Sequence, residues 1–287
     1  SKYYCKATNA KAAVEEAREK VAKLIGAKPE EIIFTAGATE STNFIIKGYL
    51  DYRKYYGDGR NHVITSLVEH KATLNTCRYL NGELYSNNDP TISLFGEKKR
   101  VDRGFEASFV GVTSNGEISV EEIEKAIKEN TALVSILYVN NEIGSISDVS
   151  RVSEICKSHN IALHSDLTQA LGKLEIDVKK LGIDYASCSA HKIYGPKGIG
   201  AAYMKSDAYG IAPITAFMHG GEQEFGYRAG THAVHNIVGF GKAAEIALRD
   251  MKKNETHIQK LDELLLHGIA NIDGIHTTVN ESKRIPG

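Results

Sequence analysis

The chain has 287 residues, and its 35 lysines and arginines nearly balance 36 aspartates and glutamates, giving a formal net charge of −1. That length can bury a large core, as one α/β domain or two smaller ones, and the balanced charge offers no basic field to hold nucleic acid. No run approaches the roughly 20 apolar residues of a membrane helix, and the N-terminus SKYYCKATNAKAAVEEAREK is too polar for a signal peptide, so the expectation is a cytoplasmic protein without membrane or nucleic-acid partners.

In chain order, Val14, Ala17, Val21, Leu24 and Ile25 recur at helical spacing and stop at Gly26, with Pro29 beyond. EIIFTAG (31–37) reads as a buried strand running into a small-residue turn, residues 40–56 return to helical character, and HVITS (62–66) is a short strand. A helical segment holding Cys77 follows. The polar, charged stretch 86–104 is expected as a surface loop or hairpin. ASFVGV (107–112) precedes Ser119 and Glu122, a capping-box pair opening a helix over 119–130. Then come strand 132–139, helix 148–159 and strands 161–165, 185–190 and 199–204. Two helices, 236–251 and 255–272, lead to a short tail. Short β runs alternating with amphipathic helices, several strands apolar on both faces, indicate an α/β fold with a mostly parallel sheet sandwiched by helices. In such sheets ligands bind beyond the carboxyl ends of the strands.

Two of those ends carry chemistry. Asp166 closes the apolar run IALHSD, and Lys192 follows the strand-like run YASCSA. An acid and a lysine delivered from two strand ends suit pyridoxal phosphate, where the lysine holds the cofactor aldehyde as a Schiff base and the carboxylate keeps the ring nitrogen protonated. Attack needs a neutral amine, so Lys192 is expected to be buried beside another cation; a solvated turn lysine is the other reading. Ala38 and Thr39, in TAGATE, can offer N–H groups and a hydroxyl to an anion at a helix start. Ser189 and His191 would complete that cup, although an ordinary N-capped turn has the same composition. His70 can stack on a ring and move protons near neutral pH, or be a structural loop histidine. Asn141, in VNNEIG, is an amide donor at a strand end or part of an Asx turn. The glycine-rich, polar stretch 219–236 reads as an ordered functional loop. Cys5, Cys77, Cys156 and Cys188 lie far apart with no CxxC spacing, which argues against zinc and against a disulfide framework.

The motifs GATES, VEH, VNNEIG, SDLTQALGK, SAHKIYGPKGIGA and HGGEQEFGYRAGT, in this order, closely resemble the cysteine desulfurases. These are fold-type I pyridoxal 5'-phosphate (PLP) enzymes of the class V aminotransferase group, and the resemblance covers nearly the whole chain. It implies that Lys192 is the Schiff-base lysine and acts in catalysis with His70, which stacks on the ring. It also implies that Asp166 pairs with the pyridine nitrogen, Gln169 contacts the ring hydroxyl and Asn141 lies beside ring and substrate. Ala38, Thr39, Ser189 and His191 would hold the phosphate. Thr231 would reach the phosphate of the partner subunit, which implies a homodimer with shared active sites. The implied reaction removes sulfur from L-cysteine, giving L-alanine and an enzyme persulfide. The sulfur would pass to iron–sulfur scaffold proteins or tRNA-thiolating enzymes. Selenocysteine lyases and other class V members share the cofactor core, and a non-catalytic assembly partner is a further alternative.

The family pattern puts its nucleophilic cysteine and its carboxylate-binding arginine beyond Gly287, and a lead-in strand before Ser1. The expectation is therefore a fragment or trimmed chain, with the PLP-binding large domain over 1–253 and only the start of a smaller C-terminal domain over 254–287. None of the four cysteines falls in a matching motif; Cys77 and Cys188 read as packed core thiols.

Overall fold

The computed structural model describes residues 5–83, 101–274 and 283–286, so most of the 86–104 insertion lies outside the described residues. The strands are β1 (Ile32–Thr35), β2 (His62–Ser66), β3 (Glu106–Val110), β4 (Thr131–Leu137), β5 (Ala162–Asp166), β6 (Tyr185–Ser189) and β7 (Gly200–Met204). They form one sheet in the order β1-β7-β6-β5-β4-β2-β3. Only β7 runs against its neighbours, pairing antiparallel with β1 and β6 while the other four pairings are parallel. The carboxyl ends of β1, β2, β3, β4, β5 and β6 therefore share one edge.

The sequence makes this layer by alternation. Successive side chains of a strand point to opposite faces, so Ile32, Phe34, Ile64, Val134 and Leu163 enter one core while Ile33, Val63, Leu133 and Ala162 enter the other. Helices α1 (Cys5–Leu24), α4 (Val120–Lys125), α5 (Val149–Ser158) and α6 (Val234–Ala270) contribute to the first core. Helices α2 (Ala38–Tyr55) and α3 (Lys71–Leu80) contribute to the second through Phe44, Ile45, Tyr49, Leu50 and Cys77. Polar groups trapped in the layer satisfy one another. Ser135 Oγ meets His164 Nδ1 at 2.8 Å, His164 Nε2 meets Ser187 Oγ at 3.2 Å, and Thr42 Oγ1 donates to Ser187 Oγ at 2.9 Å. Burial pushes the His164 pKa down to about 3, so this ring is neutral.

Two helix expectations change. The helix expected over 119–130 stops at Lys125. Ser119 Oγ does accept from Glu122 N at 3.2 Å, but the Glu122 carboxylate accepts from Gly111 N at 2.5 Å, so only half of the capping box forms. The two C-terminal helices are one, since Val234–Ala270 runs 37 residues unbroken across 252–254, where no Gly or Pro interrupts it. Its first half lies tightly on α1, because a Cβ on Gly241 would come 2.6 Å from Ala17 Cα. Arg284, near the end of the chain, forms an ion pair with Asp262 of this helix.

A buried ion pair fastens α1 to a distant loop. Arg18 donates to both carboxylate oxygens of Glu224 at 2.8 Å and to Ile32 O at 2.6 Å. Glu224 also accepts from Phe34 N at 2.6 Å and bonds His232 Nε2 at 2.6 Å. Every lone pair needed to compensate a buried charge is thus engaged, the condition under which such a pair holds. Glu224 and Phe225 adopt φ of 46° and 58° to deliver this carboxylate, a left-handed backbone that side chains seldom adopt. Burial opposes ionisation of Glu224, yet Arg18, His232 and Phe34 N outweigh it and pull the pKa to about 2.

Glu224→Ala, which strands Arg18, is expected to lower unfolding free energy by about 3–5 kcal/mol in denaturant titrations. Because the folded pKa lies below the ordinary value, the stabilisation is present above about pH 4.5 and is lost as pH falls toward 2. Glu224→Gln should lose that part of the acid sensitivity.

Candidate active site

The shared strand edge opens into a cleft of about 950 Å³. Asp166 is the last residue of β5, and Lys192 sits in the tight turn Ala190–Ile193 that follows the paired strand β6. Both side chains line the cleft. Asp166 is 7% exposed, and its Oδ1 accepts from Thr168 N at 2.9 Å. Burial raises its pKa, while the Thr168 contacts and the charge of His70 act against the rise. No cation reaches it among the described residues within ion-pair distance. Next to it Thr168 Oγ1 is buried without a hydrogen-bond partner.

Lys192 departs from expectation in one respect. It is exposed at the open side of the cleft rather than buried, because the turn after β6 carries it out of the sheet layer. The expected cationic neighbourhood is present. Burial and then the charge of Lys192 depress the pKa of Lys173, and burial followed by Lys192 and Lys197 depresses that of His191.

The start of α2 forms the opposite wall, with Ala38 and Thr39 lining the cleft. Helix N-termini leave backbone N–H groups without intrahelical partners, which favours an anion there. Ser189 Oγ accepts from Ala38 N at 3.3 Å, joining the end of β6 to this turn. Glu40 holds the turn from its other side, accepting from Ala36 N at 2.9 Å and from Arg228 Nε at 2.7 Å. His191 also faces the cleft.

His70 caps α3, its Nδ1 accepting from Ala72 N at 3.1 Å. In the neutral ring the proton therefore resides on Nε2. Gln169 Oε1 accepts from Lys173 Nζ at 2.8 Å, which leaves its amide nitrogen as the donor toward the cleft. Asn141 lines the cleft and its Nδ2 donates to Glu142 Oε1 at 2.6 Å. The Asx turn belongs instead to its neighbour Asn140, whose Oδ1 accepts from Glu142 N and Ile143 N. Thr231 is exposed and is not part of the cleft lining.

Several lining residues escaped the sequence reading. Asn43 lies one turn after Thr39 on α2 and Thr168 lies between Asp166 and Gln169, so helical spacing and adjacency pointed to both. Phe217 comes from the loop before β-edge contacts with Arg228 and had no local signal. Cys77 and Cys188 are buried, as expected of core thiols, and so is Cys156. Burial raises all three, Cys156 and Cys188 to about 12, so none is a thiolate at neutral pH. Among the described residues no cluster of three or more His, Cys, Asp or Glu side chains could hold a metal ion, and no helix is long and apolar enough to cross a membrane.

A family model described as aminotransferase class-V matches residues 1–85 and 95–286. The chain is 43% identical over 277 residues to the cysteine desulfurase IscS of Vibrio vulnificus (strain YJ016), covering 96% of this chain and 62% of that relative. The chain therefore spans less than two thirds of the length of that curated relative. Among solved structures, a NifS-like protein superposes with a TM-score of 0.83 at 38% identity, covering 99% of this chain and 71% of the other. The structure of SspA in complex with cysteine gives a TM-score of 0.72 at 39% identity, covering 85% of this chain and 63% of the other.

Gly200 is where the two cleft walls touch. A Cβ there would lie 2.6 Å from Gly37 Cα and press on the Cys188 carbonyl, both of them backbone. Gly200→Ala should therefore cost about 1–3 kcal/mol of stability in thermal or urea unfolding, and should displace the turn that opens α2.

Proposed function

Since the chain belongs to the class-V aminotransferase family, we propose that its cleft holds pyridoxal 5'-phosphate and that the whole protein is a cysteine desulfurase. The observation that carries this reading is a buried strand-end carboxylate, Asp166, and an amine, Lys192, lining one cleft from paired strands. The residues fit the cofactor. Asp166 is buried with no cationic partner among the described residues, Thr168 Oγ1 beside it is unpaired, and a helix start faces them across the cleft. A protonated ring nitrogen and a phosphate supply what each end lacks.

When bound, PLP supplies an aldehyde that an amine can join and a protonated ring that accepts electrons. Lys192 Nζ would hold the cofactor and would be the base for the α-proton of the substrate. Asp166 would keep the proton on the ring nitrogen. Gln169, with its oxygen taken by Lys173, would donate to the ring hydroxyl, and Asn141 would lie beside ring and substrate. His70 would stack on the ring and move protons at Nε2. Ala38, Thr39, Ser189 and His191 would hold the phosphate, joined by Thr231 from the other subunit of a homodimer. A second domain would begin near residue 254, within α6.

The net reaction takes L-cysteine and an enzyme thiol to L-alanine and an enzyme persulfide. The thiolate attacks the substrate sulfur, the Cβ–S bond breaks, and the carbon takes up a proton. The acceptor thiol is a group other than Cys77, Cys156 and Cys188, all buried and protonated. SspA in complex with cysteine, a structural neighbour, supports L-cysteine as substrate. Iron–sulfur scaffold proteins or tRNA-thiolating enzymes in the cytoplasm would receive the sulfur.

Purified protein supplied with PLP should show an absorption band at about 420 nm, marking the cofactor joined to a lysine, and Lys192→Ala should abolish it. A borohydride-reducible lysine adduct persisting in Lys192→Ala would show that another amine does this work. Asp166→Ala should weaken PLP binding about 10–100-fold, the worth of a charged hydrogen bond, measured by equilibrium dialysis.

A further inference from the structure

Glu69 precedes His70 in the turn between β2 and α3, and it is only 5% exposed. Its Oε1 accepts from Ser66 Oγ at 2.7 Å and from Leu137 N at 3.0 Å. Leu137 ends β4, lines the cleft and is the register partner of Asp166. A second tie runs beside the first: Asn140 Nδ2 donates to Val68 O at 3.3 Å, and Asn140 Oδ1 holds the backbone around Asn141. The turn carrying His70 is thus fastened to β4 and to the loop after it by side chains that do not themselves point to a ligand.

We propose that Glu69 is the positioning residue for His70, fixing the turn that presents the imidazole by clamping it to the end of β4. This rests on the reading of His70 as the residue that stacks and moves protons. The other carboxylate oxygen, Oε2, is buried without a partner, an arrangement an ionised carboxylate does not tolerate well. Burial, opposed by Ser66 and Leu137 N and aided by the charge of Asp166, pushes the Glu69 pKa up to about 8. The group then carries its proton at neutral pH and accepts through Oε1 alone. The titratable groups around it are Asp166 on β5, Cys77 on α3 and His70 beside it, and Cys77 is a neutral thiol. Holding the proton on Glu69 keeps a second charge away from Asp166.

A neutral acid has an isosteric substitute, which makes the test direct. The complete chain without cofactor is used, with Glu69→Gln and Glu69→Ala, so that the outcome does not depend on PLP. Nitrogen-15 NMR of His70 reads the tautomer, and amide exchange at Leu137 reads the clamp. Glu69→Gln should keep the single Nε2-protonated tautomer and the Leu137 protection. Glu69→Ala should mix the tautomers and speed Leu137 exchange at least about tenfold, the loss of one buried hydrogen bond. Stability provides a second reading should Glu69→Ala not fold. A raised folded pKa gives stability that is full below about pH 4.5 and declines as pH rises to about 8, so the unfolding midpoint of the wild type should fall relative to Glu69→Gln across that window. Unchanged His70 and Leu137 signals in Glu69→Ala, or loss of the single His70 tautomer or of Leu137 protection in Glu69→Gln, would overturn the proposal. Failure of the wild type to bind PLP would refute the cofactor reading and leave these signals as they are.

Discussion

The sheet buries β4, β5 and β6 at every residue, and that constraint orders the site. An ionised side chain inside such a layer costs several kcal/mol unless it is paired, so the interiors of these strands hold neutral polar groups, of which Ser135, His164 and Ser187 bond each other. Charge can appear only where a strand stops. Six strands stop at one edge, which brings Asp166, Lys192, His70 and the start of α2 together without any of them being near in sequence. The reversed β7 strengthens the arrangement, because it returns the chain from Lys192 to lie against β1 and brings Gly200 onto Gly37.

Two carboxylates below the cleft have different duties because their surroundings differ. Asp166 has a backbone N–H and the nearby His70 acting against the rise in its pKa. Glu69 has one orphaned oxygen and a like charge for a neighbour. Burial raises both, and environments that differ in this way set their duties apart within one small volume. The three buried thiols follow the same physics and are set aside from chemistry that needs a thiolate.

Much of this was legible in the chain itself. Asp166 and Lys192 could be read because apolar runs of strand length end on them, and the TAGATE turn because small residues mark a strand-to-helix change. The cleft gathers nine of the ten residues singled out from sequence, Thr231 being the exception. What stayed hidden depends on partners far along the chain. Nothing local distinguishes Glu224 from the other acids of its loop until Arg18 and Phe34 N are brought to it. Lys192 was expected to be buried because its chemistry favours burial, but the turn after β6 governs its position. The continuous α6 was missed because polar residues at 252–254 resemble a break, although no Gly or Pro stands there to interrupt the helix.

The contact between Arg18 and Glu224 also bears on how the molecule comes to be made. The partners are 206 residues apart, and at ribosomal rates of about 5–20 residues per second the guanidinium emerges roughly 10–40 s before the carboxylate. Over that interval Arg18 has only Glu15, on its own helix, as an ion-pair partner. Closing so long a segment is a high-contact-order event, so this tie between α1 and the loop forms only after all seven strands have been synthesised.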